Sequence, residues 1–249
     1  NMFGVIGGTG LDEIKDLVVE KHTIVKTPYG LPSEPLTFGM LGRHKFVFLA
    51  RHGKNHSIPP HLINYQANIW ALHSVGVKNL VGINTVGSIE TKFMPGHFVF
   101  PNQIIDYTYG RKNTFFDGIK NPVNHIDFTY PFDENLYDQF IKISNSLKLI
   151  HHENGVYASV QGPRLESSAE INRYEIDGAN IIGMTGMPEA SLAREIGLNY
   201  GIICPVANHA AGRGLNKDGI THKEISENSK KMSINIANLI KGILESYGN

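Results

Sequence analysis

The sequence predicts an α/β protein, and three observations carry that expectation. Apolar runs rich in β-branched and aromatic residues recur at positions 3–6, 46–50, 80–83, 98–100, 156–160, 181–182 and 200–207. They are short enough to be strands, and stretches with helical periodicity separate them. Several of these runs open directly into glycine or small polar residues, which is where α/β sheets gather ligands. With 249 residues, 41% of them hydrophobic, the chain can bury a substantial core, and one domain over 1–249 is the expectation.

The helices follow from spacing and end signals. Leu62, Tyr65, Ile69 and Leu72 form a stripe that stops at Gly76, and Pro188 and Gly197 bracket a second helix at its first and post-terminal positions. A third helix is expected over 222–247, with Ile225, Met232, Ile236, Leu239, Ile243 and Tyr247 on one face. Ser167 with Glu170, and Thr221 with Glu224, have the spacing of capping boxes. The longest irregular stretch, about residues 107–133, is rich in Asn, Asp, Pro and aromatics, and loops of that length are usually functional or interfacial.

Composition narrows the partners. Lys plus Arg and Asp plus Glu number 23 each, so no net positive field holds a phosphate backbone or an anionic membrane, and neither nucleic acid nor membrane is expected. No run of about 18 apolar residues and no leader pattern is present, which points to a cytoplasmic protein. The single cysteine, Cys204, excludes an internal disulfide or a multi-cysteine zinc cage, and its apolar neighbours make it a buried, inert thiol.

Five stretches carry candidate chemistry. "GVIGGTG", residues 4–10, lacks the third glycine of a dinucleotide fingerprint, but Gly8, Gly10 and the Thr9 hydroxyl can offer donors to a small anion; a plain tight turn is the alternative. "ARHGKNH", residues 50–56, puts Arg51 and His52 at a strand end, where charge-assisted hydrogen bonds suit a phosphate oxygen. His52, His56 and His61 share no common face across two prolines, so no metal is expected and His56 and His61 read as surface residues. "GINTVGS", residues 82–88, brings Asn84 and Thr85 to the same sheet edge. "GVYASVQGPRLESSAE" places Glu166 just ahead of the Ser167 cap, and "GMTGMPEA" places Met184 and Thr185 ahead of Pro188. Together with Asn208 in "PVANHAAGRG", the set fits a phosphate site beside a heterocycle site.

These residues carry a resemblance. "IGGTGL", "TPYGLPSEPL", "LARHGKNH", "NYQANIWAL", "VQGPRLESSAE" and "GMTGMPEASLARE" stand in the order found in the trimeric purine nucleoside phosphorylase and methylthioadenosine phosphorylase family, and the chain is similar to it over nearly its whole length. The resemblance implies a mixed, distorted-barrel sheet flanked by helices, a homotrimer, inorganic phosphate as co-substrate, and no metal or organic cofactor. It assigns Thr9, Gly10, Arg51, His52, Thr85 and Thr185 to phosphate, and Met184 to the ribose. His125, in the long loop, would reach a neighbouring subunit's pocket. At the base site the methylthioadenosine branch carries Ser where this chain has Glu166, and Asp-x-Asp where it has Asn208-His209-Ala210; the residues here are similar to the inosine and guanosine branch.

The chemistry of that difference points to a 6-oxopurine. Its N1–H needs an acceptor, which the Glu166 carboxylate supplies, and its O6 needs a donor, which the Asn208 amide supplies while its oxygen takes a proton at N7. Adenine presents the reverse pattern, and a mismatched base leaves a buried polar group unpaired. Asn208 is thus expected to be catalytic alongside His52, with His209 and Ala210 lining the base. "HKEI" puts His222 in the first turn after Thr221, similar to the segment that meets a 5′-hydroxyl; an exposed helix-start histidine is the plain alternative, and Ile220 or Thr221 in its place would favour methylthioinosine. The expected reaction is phosphorolysis of inosine and guanosine to base and ribose 1-phosphate.

Overall fold

In a computed structural model the chain is described over residues 2–8 and 14–247. Thr9 and Gly10, assigned from the sequence to an anion-binding loop, lie outside the described residues. The rest forms a ten-stranded sheet of β1 (Met2–Gly7), β2 (Leu17–Thr23), β3 (Leu36–Leu41), β4 (His44–Ala50), β5 (Val77–Ile83), β6 (Val86–Ser88), β7 (Phe98–Asp106), β8 (His151–Ser159), β9 (Ile181–Gly183) and β10 (Asn199–His209). The order is β2-β3-β4-β1-β5-β10-β6-β9-β8-β7, and β7 pairs back onto β10, so the last strands close into a barrel while β2 to β5 fan away from it. The sheet is mixed: β4, β1, β5 and β10 run parallel, whereas β2–β3, β3–β4, β6–β9 and β7–β10 are antiparallel.

β10 is the strand common to both parts. Every residue of it after Asn199 is buried, in keeping with an apolar run covered on both faces. Residues 199–203 pair with β5, Cys204 and Pro205 with β7, and 206–209 with β6. Val206 opposes Val86 and Asn208 opposes Gly87, so Ala207 is an extra residue, a bulge that re-aims the side chains after it. A side chain on Gly87 would come within 3.1 Å of the Asn208 amide nitrogen, so glycine there leaves the amide its room.

Helices cover the sheet on both sides: α1 (Tyr65–Ser74), α2 (Glu134–Ser146), α3 (Ser168–Ile176), α4 (Glu189–Glu195), α5 (His222–Lys231) and α6 (Ser233–Tyr247). One apolar layer joins Ile69 and Leu72 of α1 and Leu192 of α4 to Ile6, Leu49 and Leu80 of the sheet. A second joins Phe140 of α2 and Leu239 and Ile243 of α6 to Val5, Phe98 and Ile203. Side-chain oxygens of Asn64, Asp133, Ser167 and Thr221 cap α1, α2, α3 and α5.

Two sequence expectations are corrected here. The single helix over 222–247 is two helices meeting at Met232, whose N–H turns to Ser229 and Lys230 and whose side chain is buried in the second apolar layer. The break lets α5 lie on β10 while α6 packs against α2, two partners that one straight helix does not serve. The capping box at α3 is complete, but at α5 only Thr221 contributes, because the Glu224 carboxylate accepts from Asn216 at 3.0 and 3.1 Å.

Residues 107–133 are irregular, as expected, and polar anchors hold them down. Arg111 donates to the carbonyls of Met184, Met187, Val160 and Gln161 and to the Tyr65 hydroxyl, and its guanidinium lies over the Tyr65 ring. Glu195 accepts from Thr114 and from the Phe115 N–H, and Arg194 donates to the Tyr130 carbonyl. Arg111→Ala is expected to cost on the order of 3 kcal/mol, because it orphans several half-buried carbonyls at once. Urea unfolding and limited proteolysis check this: cleavage should rise within 107–133 while the barrel stays folded.

Candidate active site

The parallel strands β1, β4, β5 and β10 end side by side. The Arg51 N–H bonds the Gly7 carbonyl at 2.9 Å, and the Asn84 N–H bonds the Ile203 carbonyl at 3.0 Å, so the residues after β4 and β5 converge on one edge. Arg51 is 1% exposed and Glu189, at the start of α4, is 0% exposed. They form a bidentate pair, Nε to Oε2 at 2.7 Å and Nη2 to Oε1 at 2.6 Å. The guanidinium also donates to the carbonyls of Ile83 and Ile6 and to Asn84 Oδ1, and the Tyr200 hydroxyl donates to Glu189 Oε1 at 2.5 Å. Burial opposes the guanidinium charge, but the field and hydrogen bonds of Glu189 outweigh it and hold the Arg51 pKa above its ordinary value.

The sequence reading assigns Arg51 to phosphate; without a ligand its charge is balanced by a carboxylate and its fork is engaged by protein acceptors, so it ties the strand ends together. The two residues singled out in "GINTVGS" differ in their surroundings. Thr85 is exposed, whereas Asn84 is buried and donates from Nδ2 to Thr185 Oγ1 at 2.9 Å, joining the ends of β5 and β9. Thr185 is buried at this junction.

His52, expected at the phosphate, is fixed by a backbone carbonyl. Its Nδ1 lies 2.9 Å from the Ile58 carbonyl, which can only accept, so Nδ1 carries the proton and Nε2 is an acceptor when the ring is neutral. Burial, then the neighbouring Arg51 charge, lower its pKa from 6.5 to about 4. Without a ligand the ring is therefore held in its neutral form, in which Nε2 suits an oxygen that bears a proton. The His56 ring stacks on His52 with centroids 4.0 Å apart, and burial followed by the field of His222 lowers the His56 pKa. His222, exposed at the first position of α5, is thus near enough to His56 for its charge to be felt there. α5 is fixed there by Asn228, which donates to the Ala207 carbonyl at 2.7 Å.

The residues assigned to the base stand at the end of β10, ahead of α3 and after β9. Asn208, 6% exposed, donates from Nδ2 to the His209 carbonyl at 2.7 Å, which leaves its second N–H for another partner. Glu166 precedes the α3 cap, and burial, reinforced by Glu170, raises its pKa. Its field reaches Tyr174, which packs in one apolar cluster with Ala210 and Met184. The loop after β10 is clipped to α3 by Arg213, which bonds Asn172 at 3.0 Å and pairs with Glu175. Met184 is half-buried, its sulfur against Gly162 and its carbonyl on Arg111.

His209, expected to line the base, is held by the protein at both ring nitrogens. Its Nε2 lies 2.9 Å from the Thr91 carbonyl and its Nδ1 accepts from the Leu215 N–H at 3.0 Å, so both ring nitrogens are occupied. Ala210 is buried and its N–H bonds the Ser88 carbonyl. His125 is exposed in the irregular segment, apart from the strand-end network. The sequence reading missed Glu189, Tyr200 and Arg111; the start of the Pro188 helix, where an acid has a local reason to stand, was the one signal that pointed toward Glu189.

The His52 geometry fixes a titration. Because its folded pKa is depressed, the unfolded chain binds the extra proton between pH 6.5 and 4, so its contribution to stability is complete above about 6.5 and is lost as pH falls toward 4. Histidine-selective NMR should show the His52 ring neutral with the Nδ1–H tautomer at pH 6 and a midpoint near 4. A midpoint at 6 or above contradicts this.

Similarity to known proteins agrees with this geometry. Residues 2–245 match the family model described as "Phosphorylase superfamily". The chain is 43% identical over 241 residues to a Pyrococcus furiosus protein named 6-oxopurine nucleoside phosphorylase, covering 95% of this chain and 89% of that one. It is 45% identical over 212 residues to a Pseudomonas syringae pv. tomato protein named probable S-methyl-5'-thioinosine phosphorylase, covering 85% and 86%. Among solved structures, methylthioadenosine phosphorylase from Schistosoma mansoni in complex with adenine superposes with a TM-score of 0.92 at 30% identity, over 99% of this chain and 92% of that one. A closed mixed barrel on a parallel fan, strand ends joined by a buried polar network, and a match along nearly the whole chain place this protein in the phosphorylase superfamily, with the nucleoside phosphorylase fold.

Proposed function

We propose that this protein is a purine nucleoside phosphorylase that cleaves 6-oxopurine nucleosides, inosine and guanosine, with inorganic phosphate, releasing free base and ribose 1-phosphate in purine salvage in the cytoplasm. The observation that supports the reading is a pair of shielded groups with spare hydrogen-bonding capacity, the Glu166 carboxylate and the Asn208 amide, which we assign to the base. A carboxylate accepts from N1–H, and an amide both donates to O6 and accepts at N7. The relative from Pyrococcus furiosus, named for 6-oxopurine nucleosides, supports it.

In this reading phosphate lies at the strand ends near Thr185 and the loop that includes Thr9 and Gly10, with Thr85 and His52 at its edge. One phosphate oxygen attacks C1′ as the bond to N9 breaks, the bonding electrons pass to the purine, and the purine takes up a proton from water at N7. No protein nucleophile is required. The Asn208 NH₂ group donates to O6 as negative charge develops there and its oxygen accepts from the new N7–H, so its contribution is greatest in the transition state. Neutral His52 accepts from a protonated phosphate oxygen or a sugar hydroxyl. Met184 lies against the ribose.

A second reading is phosphorolysis of methylthioinosine, favoured by the 45% identity to the relative from Pseudomonas syringae pv. tomato. His222 near His56 favours the first, because imidazoles suit a 5′-hydroxyl better than a methylthio group. We place the chain in a homotrimer in which the 107–133 segment, with His125 and the exposed Tyr109, Ile119 and Val123, covers a neighbour's pocket. No metal or organic cofactor enters the proposed chemistry.

Asn208→Ala is expected to lower kcat/KM for inosine on the order of 100-fold or more with folding intact. Product analysis of the wild type should give ribose 1-phosphate only when phosphate is present. Near-normal inosine cleavage by the variant, or base release without phosphate, contradicts the assignment. Inosine and methylthioinosine assayed side by side decide between the two readings.

A further inference from the structure

We infer that Glu189, Arg51 and Asn84 form a positioning relay that fixes the Thr185 hydroxyl as a hydrogen-bond donor toward phosphate; this rests on the proposed reading of Thr185 as a phosphate ligand. The argument turns on polarity. Arginine has donors only, so the oxygen of the Asn84 amide, not its nitrogen, faces Arg51 Nη2 at 3.2 Å. The NH₂ group then faces Thr185 Oγ1 at 2.9 Å and can only donate to it. Thr185 must accept that bond, and its one O–H has no acceptor among the hydrogen bonds of the described residues. The hydroxyl therefore has its proton left for a ligand, and an anionic oxygen, which only accepts, is the ligand that matches it.

Glu189 sets the first link. Its two carboxylate oxygens grip Nε and Nη2, and Tyr200 holds one of those oxygens at 2.5 Å, so the guanidinium plane has one orientation. Both Arg51 and Glu189 are sealed from solvent, so their geometry is not loosened by water. The pair contributes no net charge; what it transmits is a direction for the hydrogen bonds, from Arg51 through Asn84 to Thr185. The relay spans the ends of β4, β5 and β9 and the start of α4.

Phosphate binding to the otherwise unliganded protein tests the relay without reference to any nucleoside. The dissociation constant for inorganic phosphate is measured by calorimetry for wild type, Asn84→Ala, Thr185→Val and the double variant. Each single change should weaken binding about tenfold, the loss of one hydrogen bond to a charged group, and the double variant should be no weaker than Thr185→Val alone. Multiplying effects, about a hundredfold in the double variant, overturn the relay because they mean two independent ligands. Unchanged binding in Asn84→Ala overturns it as well. Glu189→Gln gives a second readout of opposite sign: removing a negative charge near an anion site should tighten binding by charge alone, whereas the relay requires it to weaken. Tighter binding in folded Glu189→Gln overturns the role of Glu189. Absence of phosphate binding by the wild type overturns the phosphate reading itself.

Discussion

The buried pair between Arg51 and Glu189 is the constraint on which the strand-end geometry depends. A single guanidinium reaches the Ile6 carbonyl at the end of β1, the Ile83 carbonyl at the end of β5 and the Asn84 amide, while the carboxylate brings in α4 and Tyr200 of β10. Removing one partner from such a pair leaves an uncompensated charge at a cost of about 3–5 kcal/mol, although a well-packed apolar replacement of both partners can be neutral. Its value here is registry: parallel strands pair through slanted, evenly spaced bonds that do not by themselves fix where each strand stops.

The polar residues at the site divide by what they have left to give. His209 and Arg111 carry the residue types expected of ligand-binding groups, yet protein partners absorb their hydrogen bonds. Glu166, Asn208 and Thr185 retain capacity while being largely shielded from water. A group that is desolvated and incompletely paired is costly in the free protein, and that cost is recovered when a complementary ligand arrives. The same inventory explains why a neutral His52 fits: one nitrogen is held by Ile58 and the other remains an acceptor.

Much of this architecture was legible in the sequence wherever the signal was local. β1, β4, β5 and β10 read as apolar runs because they are buried on both faces, and α3 announced itself through a capping box formed in full. β2 and β3 gave no such pattern: β2 is the exposed edge of the sheet, with Val18 62% exposed, so neither alternation nor an apolar run marks it. β6 was hidden by its three-residue length, and α2 by the irregular segment before it, despite its Asp133 cap and buried Leu136 and Phe140. The pairing of Arg51 with Glu189 links residues 138 apart in sequence, and no single segment contains that information. Asn84 rather than Thr85 faces the network because successive residues of an extended chain point to opposite sides, which composition alone does not resolve.

The bulge at Ala207 makes the direction of the Asn208 side chain a matter of parity. In a regular strand the inward positions alternate, so one supernumerary residue exchanges inside for outside for everything that follows it. The amide at 208 therefore owes its orientation to a count of residues upstream as much as to its own identity. Among related chains, a substitution at 207 leaves that count intact, whereas a one-residue gain or loss between 203 and 208 inverts it. Alignments that slide a gap through this strand without regard to the bulge would compare positions on one face of the strand in one protein with positions on its other face in another.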